Sequence, residues 1–126
     1  MRKPAILITG ANGEMGRELI KSLGGDGTQI ITLDLQQIKG PISEMIDKQV
    51  VGSILDIELL KKLSIKHTFS TIYHLAAILS TQAEKNLQLA HSVNVEGTLN
   101  LLKLALEQGE KQKTNINFFF PSSIAV

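Results

Sequence analysis

Ala5-Ile6-Leu7-Ile8-Thr9-Gly10-Ala11-Asn12-Gly13-Glu14-Met15-Gly16 is the stretch whose reading decides the fold. Ala5 to Thr9 is a short, unbroken apolar run ended by Gly10, which suits a strand buried on both faces better than one with a wet side. From Gly13 to Leu23, Met15, Leu19, Ile20 and Leu23 recur at helical spacing, and Gly24-Gly25 supplies the stop. Strand, glycine turn and helix therefore follow without a linker. Strands covered on both faces belong to parallel sheets, because the crossover helices lie on those faces.

Working outward, Gln29 to Leu33 is again apolar and β-branched and runs into Asp34, closing a first strand–helix–strand unit. Between Gln36 and Gln49 the pattern weakens. Lys39-Gly40-Pro41 marks a turn there, and Ile42, Met45 and Ile46 give one short helical stretch. Val50 to Leu55 reads as a third strand running into Asp56, with Ile57, Leu59, Leu60 and Leu63 as the apolar face of a helix ending near Lys66. Thr71 to Ala77 reads as a fourth strand. A long helix from about Ala83 to Glu107 carries Leu87, Ala90, Val93, Gly97, Leu101, Leu104 and Ala105, with Gly109 as its stop. Glu110 to Asn115 reads as a polar loop, and Ile116 to Phe120 as a fifth strand closed by Pro121, Ser122 and Ser123. The alternation predicts an α/β, doubly wound parallel sheet of order 3-2-1-4-5, provided every crossover is right-handed.

Composition narrows the function classes. With 126 residues, 43% of them hydrophobic, the chain holds one domain with a real core and is too short for two. Thirteen basic against twelve acidic residues give a net charge of +1, with no block of either sign to neutralise phosphates, so neither nucleic acid nor an anionic membrane is an expected partner. The absence of cysteine excludes disulfides and thiolate metal sites, and three scattered histidines give no metal centre. No apolar run approaches the roughly 18 residues of a membrane span. Met1-Arg2-Lys3 leads straight into the first strand without the pattern of a cleavable signal, which makes the cytoplasm the expected location.

The glycines of the turn have separate tasks. Gly10 permits the sharp bend, Gly13 leaves room for phosphates to approach the backbone, and Gly16 lets helix and strand pack closely. A dinucleotide pyrophosphate would then sit at the helix N-terminus. Asp34, at the end of the second strand and 24 residues after Gly10, is placed to accept hydrogen bonds from the adenosine ribose and to repel a 2′-phosphate, which favours NAD over NADP. The bland alternatives are an ordinary glycine turn and a solvated carboxylate at a strand end.

Thr9-Gly10-x-x-Gly13-x-x-Gly16, Asp34, Asp56-Ile57, His74-Leu75-Ala76-Ala77, Asn94-Val95-Glu96-Gly97-Thr98 and Pro121-Ser122-Ser123-Ile124-Ala125-Val126 occur in an order that resembles the extended short-chain dehydrogenase/reductases, the NAD-dependent epimerase/dehydratase family with a Rossmann-like fold. The resemblance spans nearly the whole chain. It implies an NAD-contacting set of Gly10, Asn12, Gly13, Glu14, Met15, Gly16, Asp34, Asp56, Ile57, Leu75, Ala76, Ala77 and Asn94. Asp56 and Ile57 would flank the adenine, Leu75 to Ala77 would run beneath the cofactor, Asn94 would brace the central helix, and Ser123 would be the catalytic hydroxyl. Read singly, Asp56 is equally a helix N-cap, His74 a packed strand-end histidine and Asn94 a mid-helix polar contact.

The family also uses a Tyr-x-x-x-Lys pair for proton transfer. The one tyrosine here, Tyr73, falls inside the fourth strand and is followed four residues on by Ala77. The expectation is a sheet cut off after its fifth strand, with the pair in a missing C-terminal part, and an isolated segment that is weakly stable and self-associates. The whole protein is expected to be an enzyme and a homodimer, with an amino acid or a nucleotide sugar as its small-molecule substrate. Ile78-Leu79-Ser80, Ala83-Glu84-Lys85-Asn86 and the Pro-Ser-Ser-Ile-Ala-Val segment look most like the L-threonine 3-dehydrogenases of the family, which would place Ser80 near the substrate. The alternatives are a nucleotide-sugar epimerase or dehydratase and a non-catalytic NAD-binding sensor.

Overall fold

Five parallel strands in the order 3-2-1-4-5 form the sheet, as the alternation of strands and helices predicts. The computed structural model describes residues 4–25, 27–76 and 87–121. Strand β1 (Ala5–Thr9) lies at the centre between β2 (Gln29–Asp34) and β4 (Phe69–His74), with β3 (Lys48–Val51) and β5 (Asn117–Phe119) at the two edges. Helix α1 (Glu14–Leu23) joins β1 to β2, and α2 (Ile57–Lys66) joins β3 to β4.

Side-chain alternation along the strands feeds two separate cores. Ala5 and Leu7 join Ile31, Leu33, Phe69 and Ile72 on one face, where Leu60 and Leu63 of α2 and Leu101 and Leu104 of α4 (Thr98–Gln112) cover them. Ile8 and Ile30 join Ile20 of α1 and Ile38 and Ile42 on the other. Helices on both faces make the sheet doubly wound. Each large side chain so buried contributes about 1.5–3 kcal/mol. In α1 the charge pattern agrees with the helix dipole, Glu14 lying in the first turn and Lys21 in the last. The short helical stretch predicted near Ile42 is a 3-10 helix, Pro41–Met45.

Several boundaries differ from the sequence reading. Strand β3 is shorter and earlier than Val50 to Leu55. Asp47 brackets Ile30, donating its N–H to the Ile30 carbonyl at 2.9 Å and accepting the Ile30 N–H on Oδ2 at 2.6 Å, which starts the pairing at Ile31 and Lys48. Pairing ends where Gly52 N–H reaches the Asp34 carbonyl, and Ile54 is buried beneath Gly97 instead of in the sheet. Strand β4 starts at Phe69 and stops at His74, because the Leu75 N–H is shared between the Thr9 carbonyl and hydroxyl and the Ala76 N–H turns onto the hydroxyl.

From Leu87 onward the predicted long helix is three segments, α3 (Leu87–His91), a π-helical stretch (Ser92–Gly97) and α4, while its expected start at residues 83–86 lies outside the described residues. It runs past Gly109 to Gln112, so the first half of the expected polar loop is helix, capped by Lys113 in the left-handed conformation (φ 56°). Among the described residues, no helix is long and apolar enough to cross a membrane.

Candidate functional site

The carboxyl ends of β1, β2 and β4 and the N-terminus of α1 meet at the point where successive strands depart to opposite sides of β1. In open α/β sheets the crevice for a ligand forms at such a switch point. Two of the three glycines there are required by the fold. Gly10 has φ +67°, and a Cβ on it would stand 2.6 Å from the Ala76 backbone nitrogen; one on Gly16 would stand 2.6 Å from Ala11 Cα. Gly13 differs. It is the exposed N-cap of α1, with an extended backbone any residue adopts (φ −75°), and an added Cβ would meet only the Gly10 carbonyl oxygen, at an ordinary 3.5 Å.

The fold therefore makes no use of the missing side chain at Gly13. What it leaves is a bare helix end with no side-chain cap, whose first-turn N–H groups belong to Glu14, Met15 and Gly16. Met15 does not join the apolar face of α1 as its spacing predicted, but stands 60% exposed at this mouth. Ile57 is likewise exposed, beside Asp56.

Asp34 sits half-buried at the end of β2 with its carboxylate held from both sides. Oδ2 accepts the Asn12 N–H and Oδ1 the Gln36 N–H, each at 3.0 Å. Asn12 is in turn gripped by Arg17, which donates from Nη2 to Asn12 Oδ1 at 2.8 Å and from Nε to the Asn12 carbonyl at 3.2 Å. Asp56 caps α2 by accepting the Leu59 N–H at 3.2 Å, which is its bland reading, and the loop before it is tied down where Asn100 Nδ2 donates to the Ile54 carbonyl.

The floor of the crevice is organised by Thr9 and His74. Thr9 Oγ1 accepts the N–H groups of Leu75 and Ala76 at 3.1 and 3.2 Å and lies 2.7 Å from His74 Nδ1. His74 Nε2 lies 2.9 Å from Thr98 Oγ1, which donates to the Asn94 carbonyl within the π-helical stretch. His74 is wholly buried, and that burial pushes its pKa down from 6.5 to about 4. It is a packed strand-end histidine with both ring nitrogens engaged, not a base open to substrate.

The structure thus brings Gly10, Asn12, Gly13, Glu14, Met15, Gly16, Asp34, Leu75 and Ala76 to the carboxyl end of the sheet at the switch point, with Asp56 and Ile57 at the start of α2 and Asn94 in the helix behind His74. Ala77, Ser80 and Ser123 lie outside the described residues. Sequence reasoning missed Arg17 and quoted Thr9 and Thr98 in motifs without giving either a role. The signals were Arg17 one turn beyond Asn12, a hydroxyl directly before Gly10, and a threonine four residues after Asn94. Among the described residues no three His, Asp or Glu side chains cluster as metal ligands would.

Comparison with known proteins finds relatives of the whole chain. The chain is 30% identical to the human "Inactive L-threonine 3-dehydrogenase, mitochondrial" over 96% of its own length and 50% of the relative's. It is also 30% identical to the mitochondrial L-threonine 3-dehydrogenase of Sus scrofa, covering 97% of itself and 31% of that protein. A solved monomeric L-threonine 3-dehydrogenase from a metagenome, in apo form, superposes with a TM-score of 0.80 at 37% identity, over 96% of this chain and 37% of that one. The chain thus spans 31% to 50% of the length of these proteins. Residues 6–126 match the model of the NAD dependent epimerase/dehydratase family, and the chain belongs to that family.

Proposed function

We propose that this chain is the NAD-binding domain of an oxidoreductase that moves hydride at a secondary alcohol, with chemistry of the L-threonine 3-dehydrogenase kind. The observation that carries the cofactor half is Gly13, a position where the fold tolerates a side chain and the sequence provides none, at the open N-terminus of α1. The first-turn N–H groups of Glu14, Met15 and Gly16 would hold the pyrophosphate, Asp34 the adenosine ribose hydroxyls, and Asp56 and Ile57 the adenine edge. Leu75 and Ala76 would pass beneath the cofactor with Ala77, and Asn94 would brace the helix behind. NAD, when bound, supplies the hydride acceptor.

The substrate half rests on the relatives, whose names are those of L-threonine dehydrogenases at 30–37% identity. In that reading Ser80 lies near the amino acid and Ser123 hydrogen-bonds its hydroxyl. Tyr73 is not the proton-transfer tyrosine, since it lies in β4 stacked on Phe119 at 5.0 Å. The activity therefore belongs to the whole protein. A homodimer of the whole protein is part of this reading, with α4, whose Leu99, Leu102 and Leu106 are exposed, as the helix nearest its interface.

Two substitutions test the cofactor half by calorimetric titration. Asp34→Ala is expected to weaken NAD about 10- to 100-fold while leaving NADP unchanged or tighter, because it removes charge-assisted hydrogen bonds to the ribose and the repulsion of a 2′-phosphate together. Gly13→Val should weaken both nucleotides by about tenfold or more yet shift the thermal midpoint by no more than about 2 °C, a separation that Gly16→Val, with its contact on Ala11, should not show. Unchanged nucleotide affinity in Gly13→Val would remove the main support for the site. For the substrate half, NAD reduction by the full-length protein with L-threonine, and none with a UDP-hexose, is the expected result; the reverse would favour an epimerase or dehydratase.

A further inference from the structure

Asp34 discriminates between the two dinucleotides only while its carboxylate stays aimed at the ribose. What aims it lies partly outside the glycine turn and β2. Its Oδ1 is held from its own strand end by Gln36, but its Oδ2 is held across the crevice by the N–H of Asn12. Asn12 sits between two glycines, and its peptide and side chain are fixed by the Arg17 guanidinium, which spans the carbonyl oxygen and Oδ1 of the same residue. A planar fork on two oxygens of one residue fixes both the backbone and the side-chain torsion, which a point charge does not. Arg17 and Asp34 form no direct ion pair; the Arg17 guanidinium is spent on Asn12 and the Asp34 carboxylate on the Asn12 and Gln36 N–H groups. Arg17 thus reaches Asp34 only through Asn12.

We propose that Arg17 is a positioning residue for cofactor selectivity: by bracketing Asn12 it holds the Asp34 carboxylate against the ribose and so sets how strongly NAD is preferred over NADP. This rests on the reading of the crevice as an NAD site and adds to it a residue of the first helix. Two roles have to be separated. As a cation near a dianionic pyrophosphate, Arg17 would aid both nucleotides through its charge, and NADP, the more negative, more. As a bracket, it aids NAD through Asp34.

Lysine in its place keeps the charge and loses the fork. In the full-length chain, Arg17→Lys is expected to weaken NAD about 3- to 10-fold, to leave NADP within about twofold, and so to lower the NAD/NADP affinity ratio about 3- to 10-fold. Arg17→Ala should lower the ratio as well and weaken both nucleotides further. A readout without nucleotide accompanies these: hydrogen exchange at the Asn12 amide, which Asp34 protects, should quicken in Arg17→Lys and Arg17→Ala while amides of β1 and β2 keep their protection.

Arg17→Lys with a wild-type affinity ratio and wild-type Asn12 exchange would overturn the proposal and leave Arg17 a charge alone. Both affinities falling in step would overturn it too, as the mark of a structural role. The cofactor reading fails differently. If Asp34→Ala leaves the wild-type NAD affinity untouched, selectivity does not reside in Asp34, and both reading and proposal fall, whatever the Asn12 amide does.

Discussion

Gln108→Ala is expected to lower the free energy of unfolding by about 3–5 kcal/mol, an effect usually reserved for large apolar side chains. Gln108 is completely buried and has every hydrogen-bonding position of its amide in use. Oε1 accepts the Phe69 N–H at 3.0 Å, and Nε2 donates to the carbonyls of Ser64 and His67, both at 2.9 Å. The two carbonyls belong to the last turn of α2 and its C-cap, where helix geometry leaves no partner. One turn on, Gln112 donates to the Phe69 carbonyl at 2.8 Å and to Gln108 Oε1 at 2.9 Å.

The two glutamines thus pair both backbone groups of Phe69 before β5 begins alongside β4 at Thr71. Deleting Gln108 strands one buried N–H and two carbonyls, at about 1–3 kcal/mol each with partial rescue by water. Gln108→Met, which keeps the volume, should recover little; Gln112→Ala should lose only about 1 kcal/mol. Urea denaturation of the three variants measures this. A near-normal Gln108→Met would mean that packing, not the amide, ties α4 to α2 and β4.

The same residues show what the sequence could and could not disclose. The order 3-2-1-4-5 was legible because each strand is a compact apolar run and each crossover carries a helical period, signals that are local. The end of the last helix was not. Gly109 looks like a stop, but its side-chain-free face is taken by the returning chain, where a Cβ would stand 2.9 Å from the Thr114 carbonyl oxygen. The helix continues because Gln108 and Gln112 have partners in α2 and β4, about 40 residues away in sequence. Ile54 misled in a similar way, its burial coming from Gly97 of a distant helix.

In the site, Gly10, Gly13, Gly16 and Asp34 announce themselves by spacing. Arg17 does not, because an arginine in the first turns of an amphipathic helix is ordinary, and only the position of Asn12 gives it a task. The Thr9–His74–Thr98 chain was equally silent, since a threonine at a strand end and another in a helix carry no pattern until β1, β4 and α4 are assembled.

That chain makes stability fall in mild acid. Thr98 Oγ1 gives its one proton to the Asn94 carbonyl, so toward His74 it only accepts, which places a proton on Nε2. Thr9 Oγ1 already accepts two backbone N–H groups, and its own proton goes to His74 Nδ1, which must be bare. The neutral Nε2–H tautomer is thereby fixed. A proton added at Nδ1 would set two donors against each other in a dry site, so the environment opposes charging from both sides.

Burial lowers the folded pKa to about 4 against 6.5 for the free group. A depressed folded value means that the unfolded chain binds a proton first as pH falls. The stabilisation is therefore complete above about pH 6.5, is eroded between there and 4, and levels off below, for a total of about 3 kcal/mol and about 2 kcal/mol by pH 5. His74→Gln should be less stable than wild type at pH 7.5 but lose about 2 kcal/mol less between pH 7.5 and 5, a difference that removes the contributions of all other titrating groups.

The consequence reaches the site because Thr9 also holds Leu75 and Ala76 against Gly10. A proton on Nδ1 removes the acceptor of the Thr9 hydroxyl and makes the imidazole a donor that competes with the Leu75 and Ala76 N–H groups for Thr9 Oγ1. Nucleotide affinity of the folded protein is therefore expected to hold through most of the window in which stability falls, to decline only as pH approaches about 4, and to be flatter in His74→Gln. Equal stability losses in the two proteins would show that the imidazole is hydrated in the native state and that the hydroxyl chain does not govern its charge.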